Sequence, residues 1–119
     1  MQDDITNERI VHGLITLFLL RELVREPMHG YELQKKVSDA IERPMPPGSV
    51  YVLLKGMKSR GFVKTENILN EKGQILTMYH ITEGGKKFLC SHSESLIIAR
   101  KMIDDLISTV QSIEDTGYQ

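Results

Sequence analysis

Apolar residues follow three different rhythms along this chain, and each rhythm predicts a kind of element. From Ile10 to Val24 they are almost continuous: Ile10, Val11, Leu14, Ile15, Leu17, Phe18, Leu19, Leu20, Leu23 and Val24. On a helix they cover most of the cylinder, so the predicted first helix needs cover on more than one side. Thr6 or Asn7 is its expected cap, and Glu26-Pro27 stops it near Arg25. A second helix is predicted from about Gly30 to Ile41. Leu33, Val37 and Ile41 form its inner stripe, with Gln34, Lys35 and Lys36 outside. Pro44, Pro46 and Pro47 then make an extended connection and favour a helix start directly after them.

The third helix, about Gly48 to Arg60, divides more sharply. Val50, Leu53, Leu54 and Met57 fall on one arc. The opposite arc holds Gly48, Tyr51, Val52, Lys55, Gly56 and Ser59, with Lys58 at its edge. Gly61 supplies a left-handed stop. Two β-rich runs follow, Phe62 to about Ile68 and Ile75 to Ile81, around the turn-forming Asn70, Glu71, Lys72 and Gly73. Thr82 is the expected N-cap of a last long helix ending near Ile113. There Leu96, Ile103 and Val110 occupy heptad position a, and Ala99, Leu106 and Ile113 position d. That seam suits pairing with another helix, although an amphipathic helix on a monomer would show much the same pattern.

This is the outline of a winged helix-turn-helix: mainly α, with a small β-hairpin wing and a long C-terminal dimerisation helix. Residues 1–85 would hold the N-terminal helix and the DNA-binding fold, and residues 86–119 the dimerisation helix, all in one compact unit. At 119 residues a single domain is expected. The lone Cys90 allows no intrachain disulfide. The apolar run from Ile10 to Leu20 is too short for a bilayer and follows Asp3, Asp4 and Glu8, where a signal peptide would be positive. A cytoplasmic protein with no membrane partner is expected.

Charge changes the picture through its distribution. The formal net charge is −1, which by itself disfavours nucleic acid. Yet Gly48 to Lys64 carries four basic residues (Lys55, Lys58, Arg60, Lys64) and no acidic one. Ile103 to Gln119 carries four acidic residues and no basic one. Local field, not total charge, steers a polyanion.

On a winged helix, Lys55 and Lys58 would meet phosphates or guanine edges, the bland alternative being a solvated basic face. Tyr51 could bond a phosphate or stack on sugar; equally its ring could pack on the hairpin with only the hydroxyl wet. Ser49 could cap the helix or offer its hydroxyl and N–H to a phosphate. Lys64, Lys72 and Gln74 lie on or near the wing, facing backbone or minor groove, with Lys72 at an exposed tip. Tyr31 shapes the start of the second helix and could reach a phosphate. Arg60 could simply pair with an acid. Catalysis fares poorly: Cys90 and His92 are two apart on a predicted helix and point to different faces. The four histidines show no ligand spacing, so no metal and no cofactor are expected.

Four short motifs carry a family resemblance over roughly Leu14 to Leu89: His29-Gly30-Tyr31-Glu32-Leu33; Gly48-Ser49-Val50-Tyr51 with Leu53-Leu54-Lys55; Gly61-Phe62-Val63; and Tyr79-His80-Ile81-Thr82-Glu83-Gly84-Gly85. In order and spacing they are similar to the PadR-type transcriptional regulators. The chain departs from that pattern at Val52, where proline is common, and at Gly56-Met57 and Thr77-Met78, where a basic residue is common. The resemblance implies a homodimeric DNA-binding regulator, usually a repressor, in some members released by a small hydrophobic effector. Its DNA would be a pseudo-palindromic operator. An effector would sit between the first helix and the partner's last helix, lined by Leu14, Phe18, Met102 and Leu106. Those residues, with Leu96, Ile103 and Val110, would equally serve a plain dimer core. The alternative is a winged helix used for protein interaction, its basic helix left to solvent. An enzyme is not expected.

Overall fold

The computed structural model describes residues 2–46 and 48–117, with side chains from residue 11 onward; Pro47, the last of the three connecting prolines, lies outside the described residues. The chain divides into two compact units, Met1–Leu89 and Cys90–Gln119. In the first, the order is α1 (Gln2–Arg25), β1 (Met28–His29), α2 (Gly30–Ile41), α3 (Ser49–Ser59), β2 (Val63–Leu69), β3 (Ile75–Ile81) and α4 (Glu83–Cys90). The second is α5 (Ser93–Thr116). Among the described residues no helix is long and apolar enough to cross a membrane.

One core holds the first unit together. It is built from Ile15, Leu19, Leu20 and Leu23 of α1, Met28 of β1, Leu33 and Val37 of α2, Val50, Leu54 and Met57 of α3, and Val63 of β2. The inner arcs predicted for α2 and α3 are the ones buried, with Ile41 and Leu53 half-covered at their margins. Glu22, on the same side of α1 as this core, is 2% exposed. Its carboxylate accepts from Arg21 Nη2 at 2.8 Å, and Arg25 and Lys36 approach at 3.9 and 4.0 Å. A carboxylate out of water needs such partners, and Lys36 makes the cluster bridge α1 to α2.

The sheet has three strands in the order β1-β3-β2, all antiparallel. The hairpin runs in unbroken register from Val63↔Ile81 to Leu69↔Ile75. Asn70 organises its tip: the Oδ1 accepts from the N–H groups of Lys72 and Gln74 at 2.9 and 2.8 Å. Gly73, at φ 80°, makes the reversal that a side chain would strain.

Three boundaries differ from the sequence expectation. Helix α1 runs back to Gln2, so Thr6 and Asn7 are helical rather than capping; no proline or glycine upstream forces a stop there. Strand β1 was not anticipated, because two residues are too few to show a period; Met28↔Tyr79 and His29↔Met78 pair across the sheet. The long last helix is two helices. Ser91 and His92 are weak helix formers, their side chains contact each other at 3.3 Å, and α5 begins anew after His92. Cys90 and His92 therefore do not share a helix.

Where α3, the hairpin and α4 meet, a run of hydrogen bonds sets their angles. Phe62 N–H bonds to Met57 O at 2.9 Å and Gly61 N–H to Lys58 O at 3.0 Å, the two bonds of a Schellman stop, with Gly61 at φ 79°. Thr82 Oγ1 donates to Gly61 O at 2.6 Å and accepts from Gly85 N–H at 3.0 Å, capping α4 as expected. Gly85 is pressed against the Phe62 carbonyl, where a Cβ would collide with backbone. Thr82→Ala is expected to lower stability by roughly 1–2 kcal/mol, the usual cost of a lost cap, in urea denaturation. Gly85→Ala should cost at least as much, because Phe62 can yield only by moving the strand.

Candidate nucleic-acid interface

Burying Val50, Leu54 and Met57 leaves the other side of α3 in water. Tyr51, Val52, Lys55, Gly56, Lys58 and Ser59 are all exposed. Among the described residues no carboxylate pairs with Lys55, Lys58, Lys64 or Lys72, so the cations project uncompensated. A cationic helix face standing beside a hairpin presents a convex, positive ridge of the size a DNA major groove admits.

The residues expected at the site are only partly brought together. Tyr51, Lys55 and Lys58 share the outer side of α3. The start of α2 is packed against α3, since a Cβ on Gly30 would strike the Tyr51 ring; Tyr31, the next residue, stays exposed. The glycine of the α2 motif is thus the seat for the tyrosine of the α3 motif. His29 caps α2, its Nδ1 accepting from Glu32 N–H at 3.2 Å, and its ring stacks with the exposed Tyr31 at 6.4 Å. Tyr51 also faces Tyr79 of β3. Burial, and secondly the neighbouring Tyr51, raise the Tyr79 phenol above the ordinary 10.0.

Lys64 lies apart. Val63, Thr65, Asn67 and Leu69 share the hairpin face that carries Tyr79, and Lys64 alternates to the other face, paired in register with His80. On that face His80 Nε2 and Glu66 Oε1 are 3.0 Å apart. Lys72 is at the tip, on a backbone pinned by Asn70. Ser49 does not cap α3. Gly48, at φ 86°, is the N-cap residue and makes no side-chain bond, while the Ser49 hydroxyl donates back to Pro46 O at 2.9 Å. Arg60 pairs with no acid among the described residues; its guanidinium lies 4.6 and 5.0 Å from the stacked rings of Phe62 and Phe88. The spacing Arg60-x-Phe62 was a readable hint of that contact, but Phe88 was not.

Leu14 and Phe18 open into an apolar cleft of about 210 Å³ between α1 and α2, whose walls include Val11, Val37, Ala40 and Ile41. On α5, taken by itself, Leu96, Met102, Ile103, Leu106 and Val110 are all exposed, and the helix buries no residue. Its apolar arc, which also takes in Ile98, Ile107 and Ile113, is broader than a two-position seam.

A half-buried helix with a cationic outer side, preceded by a packed helix and followed by a hairpin, defines a winged helix-turn-helix. The profile of the transcriptional regulator PadR-like family matches residues 19–91, more than half the chain. The chain belongs to that family. It is 63% identical to a candidate transcriptional regulator from Thermoplasma acidophilum whose crystal structure it matches with TM-score 0.80, over 85% of this chain and 97% of that one. The fold is shared with a PadR-like regulator from Bacillus cereus (23% identity, TM-score 0.72, covering 83% and 96%). It is also shared with a PadR family regulator from Eggerthella lenta (23%, TM-score 0.71, 91% and 96%). A search of curated proteins finds no match.

A spectrophotometric pH titration should show Tyr79 ionising above 10.0, and Tyr51→Phe should move it down without restoring the ordinary value, since burial is the larger cause. The sign follows. A raised phenol pKa contributes stability that is complete below the unfolded-state pKa and is lost as pH climbs through the folded one.

Proposed function

We propose that the protein is a sequence-specific, homodimeric DNA-binding repressor acting in the cytoplasm on a pseudo-palindromic operator. The observation that carries this reading is the uncompensated cationic side of α3, held outward by its own buried arc beside the hairpin. Lys55 and Lys58 meet the DNA from α3, with Tyr51, Ser49 and Tyr31 at the flanking phosphates. Lys64 and Lys72 meet the adjacent backbone from the wing. Two copies of α3 related by a two-fold axis would occupy successive major grooves about one helical turn (~34 Å) apart. Copies associate through the apolar arc of α5 and the exposed apolar residues of α1. Leu14 and Phe18 of one copy, with Met102 and Leu106 of its partner, line a space for a small hydrophobic effector that releases the DNA.

Gel shifts on the DNA upstream of the protein's own gene test this. Affinity should fall steeply with salt, log K against log[salt] sloping at roughly −0.9 per phosphate neutralised. The double variant Lys55→Glu, Lys58→Glu should abolish the shift while leaving the circular dichroism unchanged. Salt-independent binding, or none, contradicts the proposal. Separately, Ile103→Glu with Leu106→Glu should yield a monomer in sedimentation velocity. If that variant stays dimeric, the assembly assigned to α5 is wrong.

A further inference from the structure

Gly56 stands in the interior of α3 without a reason internal to the fold. Its backbone is ordinary right-handed helix, and a Cβ there would meet nothing within 4 Å. Other glycines of the chain answer to φ, as at Gly61 and Gly73, or to close contact, as at Gly30 and Gly85; Gly13 of α1 shares with Gly56 an ordinary helical backbone and open space at the Cβ position. In a helix interior glycine costs about 1 kcal/mol relative to alanine, so Gly56 weakens α3 and gains no packing in return. One turn earlier on the same side is Val52, 70% exposed. A β-branched apolar residue is neither a strong helix former nor a typical solvated surface residue. Around the helix Ser59 lies opposite the buried arc, with Lys55 on one side of it and Val52 on the other, and Gly56 lies beside Val52.

The two departures have one physical explanation in common. A helix lying deep in a major groove needs a low ridge where its backbone nears the base edges, and glycine supplies the lowest. The one apolar feature on the groove floor is the C5-methyl of thymine, and a valine with no polar atom can recognise nothing else there. Lys55 and Lys58, on one shoulder of such a ridge, reach outward to phosphates.

Resting on the DNA-binding reading above, we propose that Val52 and Gly56 form the base-reading ridge of α3, with Val52 a specificity-determining residue for a thymine in each half-site. Gly56 sets the depth of insertion, and Lys55 and Lys58 position the helix without choosing the sequence.

The experiment uses the full chain and duplexes it selects from a randomised pool. In a selected duplex each thymine is replaced in turn by deoxyuridine, which removes only the C5-methyl, and binding is followed by fluorescence anisotropy. At one position per half-site the replacement should weaken the native protein roughly three- to tenfold, the worth of one or two buried methyl groups. Val52→Ala should bind the thymine duplex more weakly by a similar factor and lose nothing further on deoxyuridine at that position. Its salt slope should be unchanged, because no phosphate contact is touched. Gly56→Ala should melt at a higher temperature yet bind the selected duplex roughly tenfold or more weakly, as crowding at a packed surface does. The assignment is overturned if Val52→Ala remains as sensitive to deoxyuridine as the native protein at every position, or if Gly56→Ala binds undiminished. Failure of the pool to enrich at all removes the DNA-binding reading itself, and with it this inference.

Discussion

Thr82 sits where the recognition-type helix, the hairpin and α4 converge, and the orientation of the wing relative to α3 depends on it. Its hydroxyl holds the Gly61 carbonyl on one side and the Gly85 N–H on the other, while its backbone N–H bonds to Phe62 O at 3.0 Å. Three short bonds thus tie the end of one helix to the base of a strand and to the start of the next helix. The small residues around it follow from that. Gly61 must take a left-handed conformation, and Gly85 must leave room for the Phe62 carbonyl. The stacked Phe62 and Phe88, with Arg60 over both, roof the junction with apolar contact. A wing hung from so constrained a hinge keeps a defined angle to α3, as a surface reading a rigid duplex requires.

A second lock acts at the other end of α3. Tyr51 lies against Gly30, near Tyr79, so the tyrosine ties α3 to the start of α2 and to the central strand. Its ring serves packing while about 42% of the residue stays exposed, so the two roles considered for it are compatible. The outward side of α3 is therefore held by contacts at both ends. It carries cations that no acid among the described residues pairs with, within a chain whose formal net charge is −1. Long-range charge disfavours a polyanion slightly; local charge attracts it, and at contact distance the local term dominates because water and salt screen the rest.

Leu14 opens onto the apolar cleft between α1 and α2, and α5, taken by itself, exposes an apolar arc from Leu96 to Ile113. The proposed pairing of copies accounts for both without invoking a further partner.

Local periodicity was enough to reveal the halves of α2 and α3, the two hairpin strands with their turn, the Gly61 stop and the Thr82 cap. Each of these depends on residues within a turn or two of one another: which positions repeat, and which side chains suit a cap or a reversal. Family motifs added the topology, since their order fixed which helix precedes the wing. Folding in three dimensions decided the rest. Strand β1 exists because Met28 and His29 happen to lie along the free edge of β3, a coincidence of distant segments with no local trace. Gly30 has meaning only through Tyr51, twenty-one positions on, Arg60 through Phe88, and Gly56 through the emptiness around it. The break at Ser91-His92 was masked by apolar spacing that continues across it, because hydrophobic pattern reports which side of a segment is buried and not whether its backbone is continuous.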